Sequence, residues 1–163
     1  MKAKYLVLLA LTPLIIVIDQ LTKLYIDGSM KLYESIPVID GLFSITYLRN
    51  RGAAFSFLSD ASWRLPFFLL ATVIAVIAIL MAFKKLRDDQ RFAAVALTMI
   101  LAGAVGNLID RVRMGEVIDF LDAYWRGHHW PAFNVADSAI CVGVAMLALD
   151  LFREERRAKK AGE

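Results

Sequence analysis

Two aspartates near the outer interface, Asp119 and Asp137, have no cation within helical reach in this 163-residue chain. At three and four positions either way Asp137 has Phe133, Asn134, Ile140 and Cys141, and Asp119 has Gly115, Glu116, Asp122 and Ala123. Three other acids have local partners: Asp19 has Lys23 at i+4, Asp110 has Arg111 beside it and Arg113 at i+3, and Asp150 has Arg153 at i+3. Those spacings put opposite charges on one helix face. Two carboxylates brought close together cannot both ionise easily, so the pair holds one proton near neutral pH. One carboxylate then takes a proton from water while the other hydrogen-bonds a carbonyl, the division of labour that peptide hydrolysis requires. Intramembrane acids also serve proton relays, so a pair of acids alone is weak evidence for a protease.

No other residues offer comparable machinery. His128-His129 lacks the i, i+4 spacing of a helical zinc site and has no His-Glu-x-x-His context, so neither a metal nor a cofactor is expected. There is no Gly-x-Ser-x-Gly elbow, and Ser138 has no nearby Lys or His. The single cysteine, Cys141, forms no intramolecular disulfide and reads as a small buried apolar residue.

The elements that position these groups follow from composition. With 59% hydrophobic residues and 21% charged, the chain is too apolar for a soluble domain. Residues 65–83 and 92–109 carry no charge, close to the roughly 20 residues that cross a ~30 Å hydrocarbon core. With two further stretches, the expected spans are about 5–26, 65–83, 92–111 and 133–152, forming one integral membrane domain over 1–163. About half the chain is thereby spent, which excludes a separate soluble catalytic domain. Asp137 opens a weakly apolar span, where a carboxylate costs about 2.5–3.5 kcal/mol at mid-depth and less near the ends.

The net charge of +3 reports topology rather than a nucleic-acid partner. Lys2 and Lys4, then Lys84, Lys85, Arg87 and Arg91, then Arg153, Arg156, Arg157, Lys159 and Lys160 cluster in three short segments. The positive-inside rule makes these cytoplasmic and turns the longer loops, about 27–64 and 112–132, outward. A cleaved leader is not expected, because residues 13–23 lack a small-x-small site and contain Asp19 and Lys23.

The first outward loop alternates from Leu42 to Leu48 as a strand does, and Ala53 to Leu58 repeats the habit across an Arg49-Asn50-Arg51-Gly52 turn. A small sheet on the outer membrane surface is expected, with Gly115 to Tyr124 as a surface stretch that folds back against the spans and acts as a lid. The fold class is therefore an all-α membrane protein of four transmembrane helices with a small extracytoplasmic β-sheet and a surface loop or lid. In the third span Ala102, Gly103, Ala104 and Gly106 admit close helix approach, and Asn107, Asp110 and Arg111 then share one face at its outer end.

Five blocks in order resemble the bacterial lipoprotein signal peptidase (signal peptidase II) family: Asp19-Gln-Leu-Thr-Lys23, Arg49-Asn50-Arg51-Gly52-Ala53-Ala54-Phe55, Gly106-Asn107-Leu-Ile-Asp110-Arg111, Gly115-Glu-Val-Ile-Asp119-Phe120 and Phe133-Asn134-Val-Ala136-Asp137. The resemblance covers essentially the whole chain. It implies an aspartic peptidase of the bacterial inner membrane, cutting prolipoproteins before a cysteine that carries diacylglycerol, with Asp119 and Asp137 as catalytic dyad. It further implies that Asn50, Gly52, Ala53, Gly103, Asn107, Arg111, Asn134 and Ala136 line or shape the site, with Asp19, Lys23 and Asp110 in supporting contacts. The implied partners are the prolipoprotein signal peptide bearing diacylglyceryl-cysteine and membrane lipids; one dyad in one chain suggests a monomer. The Arg126-to-Pro131 stretch matches no block and is given no catalytic role. The competing reading, a proton-coupled transporter, requires polar residues at mid-depth in several spans, whereas here they gather at the outward ends. A third, a non-enzymatic scaffold, does not require Asp119 and Asp137 to be acidic.

Overall fold

A computed structural model describes residues 2–52 and 63–161. Four helices dominate: α1 (Ala3–Ser29), α2 (Arg64–Lys85), α3 (Arg91–Met114) and α4 (Val135–Ala161). Each contains an 18-residue window of mean hydropathy between 1.9 and 2.8, enough to cross a bilayer by length and composition. Their outward faces carry Leu70, Ile74, Ile77 and Met81 of α2 and Leu9, Leu14 and Leu21 of α1, all exposed. Surfaces this apolar fit hydrocarbon rather than water.

The central helix is α3, which packs on each of the other three. Its small residues permit this: Ala93, Ala94, Ala96, Ala102, Gly103 and Gly106 are all buried. At Gly103 an added Cβ would stand 2.2 Å from the Ala136 carbonyl oxygen and 2.7 Å from Ile140 Cγ1. Since the nearer atom is backbone, Gly103→Ala should force α3 and α4 apart and destabilise the protein by about 1–3 kcal/mol. Gly28→Ala, with nothing within 4 Å, should leave the melting temperature unchanged or raise it. Thermal melts in detergent check the contrast, and equal melting temperatures for the two variants would refute the close approach.

Between the helices lies a four-stranded antiparallel sheet, order β1-β2-β3-β4, made of β1 (Ser35–Ile39), β2 (Phe43–Asn50), β3 (Val117–Trp125) and β4 (His128–His129). Sequence alternation locates β2 but ends it at Leu48; the strand continues through Arg49 and Asn50, and the bend begins at Arg51. The expected strand at Ala53–Leu58 lies outside the described residues. Among the described residues β1 pairs with β2, despite Pro37, which an edge strand tolerates because it needs no donor on its outer side.

Gly115 to Tyr124 is not a surface lid. After Gly115 closes α3 in the left-handed conformation (φ +74°), Val117 to Trp125 form a strand hydrogen-bonded along β2, with Val117, Ile118, Asp119 and Phe120 buried. Ile118 and Phe120 join Ile26 and Tyr47 in a core that seats the sheet on the end of α1. Alternation of acids and aromatics reflects a strand with two partnered sides, not a mobile flap. The return to β4 is a two-residue Arg126-Gly127 turn with both φ values positive (50° and 79°), the geometry that suits a tight hairpin.

The opposite end of the bundle gathers the cationic segments. Lys2 pairs with Asp88 at 3.2 Å, the buried Lys4 ammonium donates to the carbonyls of Lys84 and Leu86, and Gln90 donates to Glu154. The chain start, the α2–α3 turn and the distal part of α4 therefore share one end, away from the sheet.

Candidate active site

The first turn of α4 carries Asp137, and its geometry follows from Asn134-Val-Ala-Asp137. Asn134 Oδ1 accepts the Asp137 N–H at 2.9 Å, and the Asn134 N–H donates back to Asp137 Oδ2 at 3.3 Å. This reciprocal arrangement is a capping box, with Asn and Asp where Ser or Thr and Glu are commoner. A third exposed helix-end donor, the Ala136 N–H, is taken by Asp19 Oδ1 at 2.9 Å, from α1. Asp137 is therefore fixed by its own helix start, and that start is tied to the rest of the bundle.

Asn134 serves both acids. Its side-chain Nδ2 donates to Asp119 Oδ1 at 2.8 Å, to Asn107 Oδ1 at 3.2 Å and to the Ile118 carbonyl at 3.2 Å. Asn107 Nδ2 in turn donates to Asp137 Oδ1 at 2.7 Å, and Asn50 Nδ2 donates to Asp119 Oδ2 at 2.9 Å. Three asparagines thus hold two carboxylates. Asn50 sits at the end of β2, where its own Oδ1 accepts the Gly52 N–H at 2.9 Å and shapes the bend.

Beneath this lies a buried ionic cluster. Lys23 Nζ is 2.9 Å from Asp19 Oδ2, 2.9 Å from Asp110 Oδ2 and 3.0 Å from Asn107 Oδ1. The i, i+4 pair expected from sequence is present, but Asp110 does not use Arg111 or Arg113. It pairs with Lys23, 87 positions away, because its side chain points into the bundle while Arg111 turns to the cavity, over the Phe68 ring. Lys23 also fixes which way Asn107 faces: with Oδ1 held by the ammonium, the NH2 group must point at Asp137.

Asp119 and Asp137 open into one cavity of about 550 Å³, shared with Asn50, Gly52, Asn107 and Arg111. Toward the helices its wall is Ala71, Thr72, Ala75, Ala104, Ile140 and Cys141. Cys141, expected as buried filler, is exposed on this wall one turn beyond Asp137. Asp119 is 3% exposed; burial first, and then the charge of Asp137, push its carboxyl up to about 7 against the opposing pull of Asn50 and Asn134. Arg111 is half-buried and lines the cavity with its guanidinium over the Phe68 ring, and among the described residues it makes no ion pair.

Of the residues singled out from sequence, Asp19, Lys23, Asn50, Gly52, Asn107, Asp110, Arg111, Asp119, Asn134, Ala136 and Asp137 come together here, and Gly103 lies under Ala136. Ala53 lies outside the described residues. Sequence reasoning missed Gln20, which donates to Asp19 at 3.1 Å and Asp110 at 3.0 Å, and the 130–132 segment, which lines the cavity. No spacing rule singles out either, since the Gln20 link to Asp110 and the approach of 130–132 to the cavity both cross long sequence separations.

A bundle of four membrane-length helices that presents two partnered carboxylates at the edge of a small sheet defines a polytopic membrane hydrolase of the aspartic type. The profile of the family Signal peptidase (SPase) II matches residues 11–153, and the chain belongs to that family of aspartic endopeptidases. Relatives named lipoprotein signal peptidase include those of Geobacter metallireducens, 64% identical over 98% of this chain and 99% of that one, and of Geobacter sulfurreducens, 68% identical over 96% and 98%. Two solved bacterial membrane enzyme structures, each 36% identical, superpose with TM-scores of 0.82 (95% of this chain, 90% of that) and 0.75 (93% of each).

Proposed function

We propose that this chain removes signal peptides from prolipoproteins, cutting on the N-terminal side of a cysteine that carries diacylglycerol, with Asp119 and Asp137 as the catalytic pair. The observation that carries the reading is that two carboxylates share one cavity where apolar helices meet a polar sheet. A lipid-bearing substrate has to keep its acyl chains among apolar groups while its scissile bond meets water, and this boundary meets both needs.

The reaction starts from one proton shared by the pair, with Asp119, whose carboxyl burial and the neighbouring Asp137 raise to about 7, as its proposed holder. Asp137 accepts a proton from water as the water oxygen bonds to the scissile carbonyl carbon, while Asp119 hydrogen-bonds the carbonyl oxygen and neutralises its growing charge. Collapse breaks the C–N bond as the proton held on Asp137 passes to the cysteine nitrogen, which leaves as an amine; the carboxylic acid left on the signal peptide then ionises to water, and the pair is back in its starting state. Asn107 and the Asn134 N–H keep Asp137 aimed; Asn50 and the Asn134 side chain do so for Asp119. Arg111, which lines the cavity without an ion partner among the described residues, is placed to donate to a substrate carbonyl.

The cationic end of the bundle goes in the cytoplasm, so both termini lie inside and the sheet lies on the outer face of the inner membrane. One chain carries both aspartates of the pair, and we propose a self-sufficient monomer with a single domain over 1–163. Purified protein in detergent should cleave a synthetic prolipoprotein peptide with the diacylglyceryl group and fail on the unlipidated peptide. Equal cleavage of both would overturn the lipid requirement, and cleavage of neither would overturn the function.

A further inference from the structure

A second cavity, of about 730 Å³, meets the first at Asp119 and Asn50 and opens over the sheet. Its wall is mixed where that of the first is mostly apolar: Arg49, Arg51, Glu116, Asp122 and His129 line it beside Leu32, Tyr33, Leu48 and Trp130. These side chains are organised in pairs. His129 Nδ1 lies 2.9 and 3.0 Å from the two oxygens of Asp122, and the imidazole is stacked on Tyr124 with ring centroids 4.7 Å apart. Arg51 Nε donates to Glu116 at 2.7 Å. The 130–132 segment, directly after His129, borders both cavities.

A peptide whose scissile carbonyl sits at the two aspartates therefore has a mostly apolar trough on one side and, on the other, one that also offers charged and hydrogen-bonding groups. The lipid and the apolar core of a signal peptide fit the first. The chain beyond the cysteine has unpaired backbone N–H and C=O groups and must run to water; the second cavity gives it acceptors on Asp122 and Glu116 and donors on Arg51 and His129. The geometry points to a binding subsite for the first few residues of the mature lipoprotein, built by the Asp122–His129 and Arg51–Glu116 pairs and by the hairpin that ends at His129. This inference rests on the proposed function and adds where the departing chain lies. It also gives the otherwise unassigned Arg126-to-Pro131 hairpin a role in recognising the substrate.

The test compares two lipidated synthetic substrates with the same signal sequence, one ending at the cysteine as its amide and one extended by several polar residues. For the wild-type protein kcat/KM should favour the extended substrate by at least about tenfold, the worth of one or two net hydrogen bonds. His129→Ala and Asp122→Asn should each bring that ratio toward one, whatever they do to the absolute rate. His129→Ala is on an exposed two-residue edge strand, so it keeps the test available if Asp122→Asn folds poorly. A wild-type ratio near one, or variants that slow both substrates equally, would overturn the subsite. Failure of the wild-type protein to cut either lipidated substrate would instead overturn the proposed function.

Discussion

Asp119→Asn and Asp137→Asn should each reduce kcat by about a thousandfold or more, since losing a positioned acid or base typically costs 10²–10⁴. Both substitutions keep the side-chain shape, so the loss isolates the proton chemistry. The two are not equivalent in their surroundings. Asp119 accepts from an amide nitrogen at each oxygen, Asn50 on Oδ2 and Asn134 on Oδ1, so an asparagine there faces one donor with another. At 137 an asparagine turns its NH2 toward either Asn107 or the Asn134 N–H and weakens the capping box by one bond. Monodisperse, folded variants with undiminished turnover would refute the dyad.

The same pair predicts how activity depends on pH. Asp119, held near 7 by burial and by Asp137, keeps its proton below that value and loses it above. The reaction as proposed uses one proton on the pair, so kcat/KM should fall as pH rises through about 7, and Asp119→Asn should not show that limb. Stability carries the same sign. The folded-state value lies above the ordinary 3.8, so the proton-linked contribution is complete below the unfolded value and is lost as pH rises through about 7. The melting temperature of the wild-type protein should therefore decline from pH 4 to 7 more than that of Asp119→Asn, and parallel curves would contradict the shift.

What sequence reveals of this site depends on how far each contact reaches along the chain. The four spans are legible because apolar length is local information, and the Asp19–Lys23 pair is legible because i, i+4 is a single helix turn. The capping box around Asp137 is equally local: an Asn three residues before an Asp at the start of an apolar run is its signature, and it accounts for an acid with no cation nearby. Asp110 is harder, because its true partner is on another helix. β3 is harder still. Gly115 to Tyr124 shows mixed acids and aromatics whether it is a flap or an inner strand, and only the pairing of Leu48 with Asp119 and Asn50 with Val117 decides between them. Long-range register is set by the whole sheet and its seat on α1, which no short window contains.

Lys23→Met should be the most damaging substitution outside the dyad. It removes a cation that is 1% exposed and leaves Asp19 and Asp110 buried without it, a loss worth about 3–5 kcal/mol when one partner of a buried pair is deleted. The remaining donors, Gln20, the Ala136 N–H and the Ile118 N–H, are neutral and cannot offset two negative charges. Asn107 also loses the ammonium that holds its Oδ1, so its NH2 is less firmly directed at Asp137 and turnover should fall with stability. These effects separate in the triple variant Asp19→Asn/Lys23→Met/Asp110→Asn, which removes the uncompensated charge but does not restore the ammonium. Neutralising a whole buried cluster is often nearly free, so the melting temperature in detergent should recover most of what Lys23→Met loses. The kcat should not, because the restraint on Asn107 is still missing. Recovery of both together would mean that Lys23 acts on the site only through overall stability.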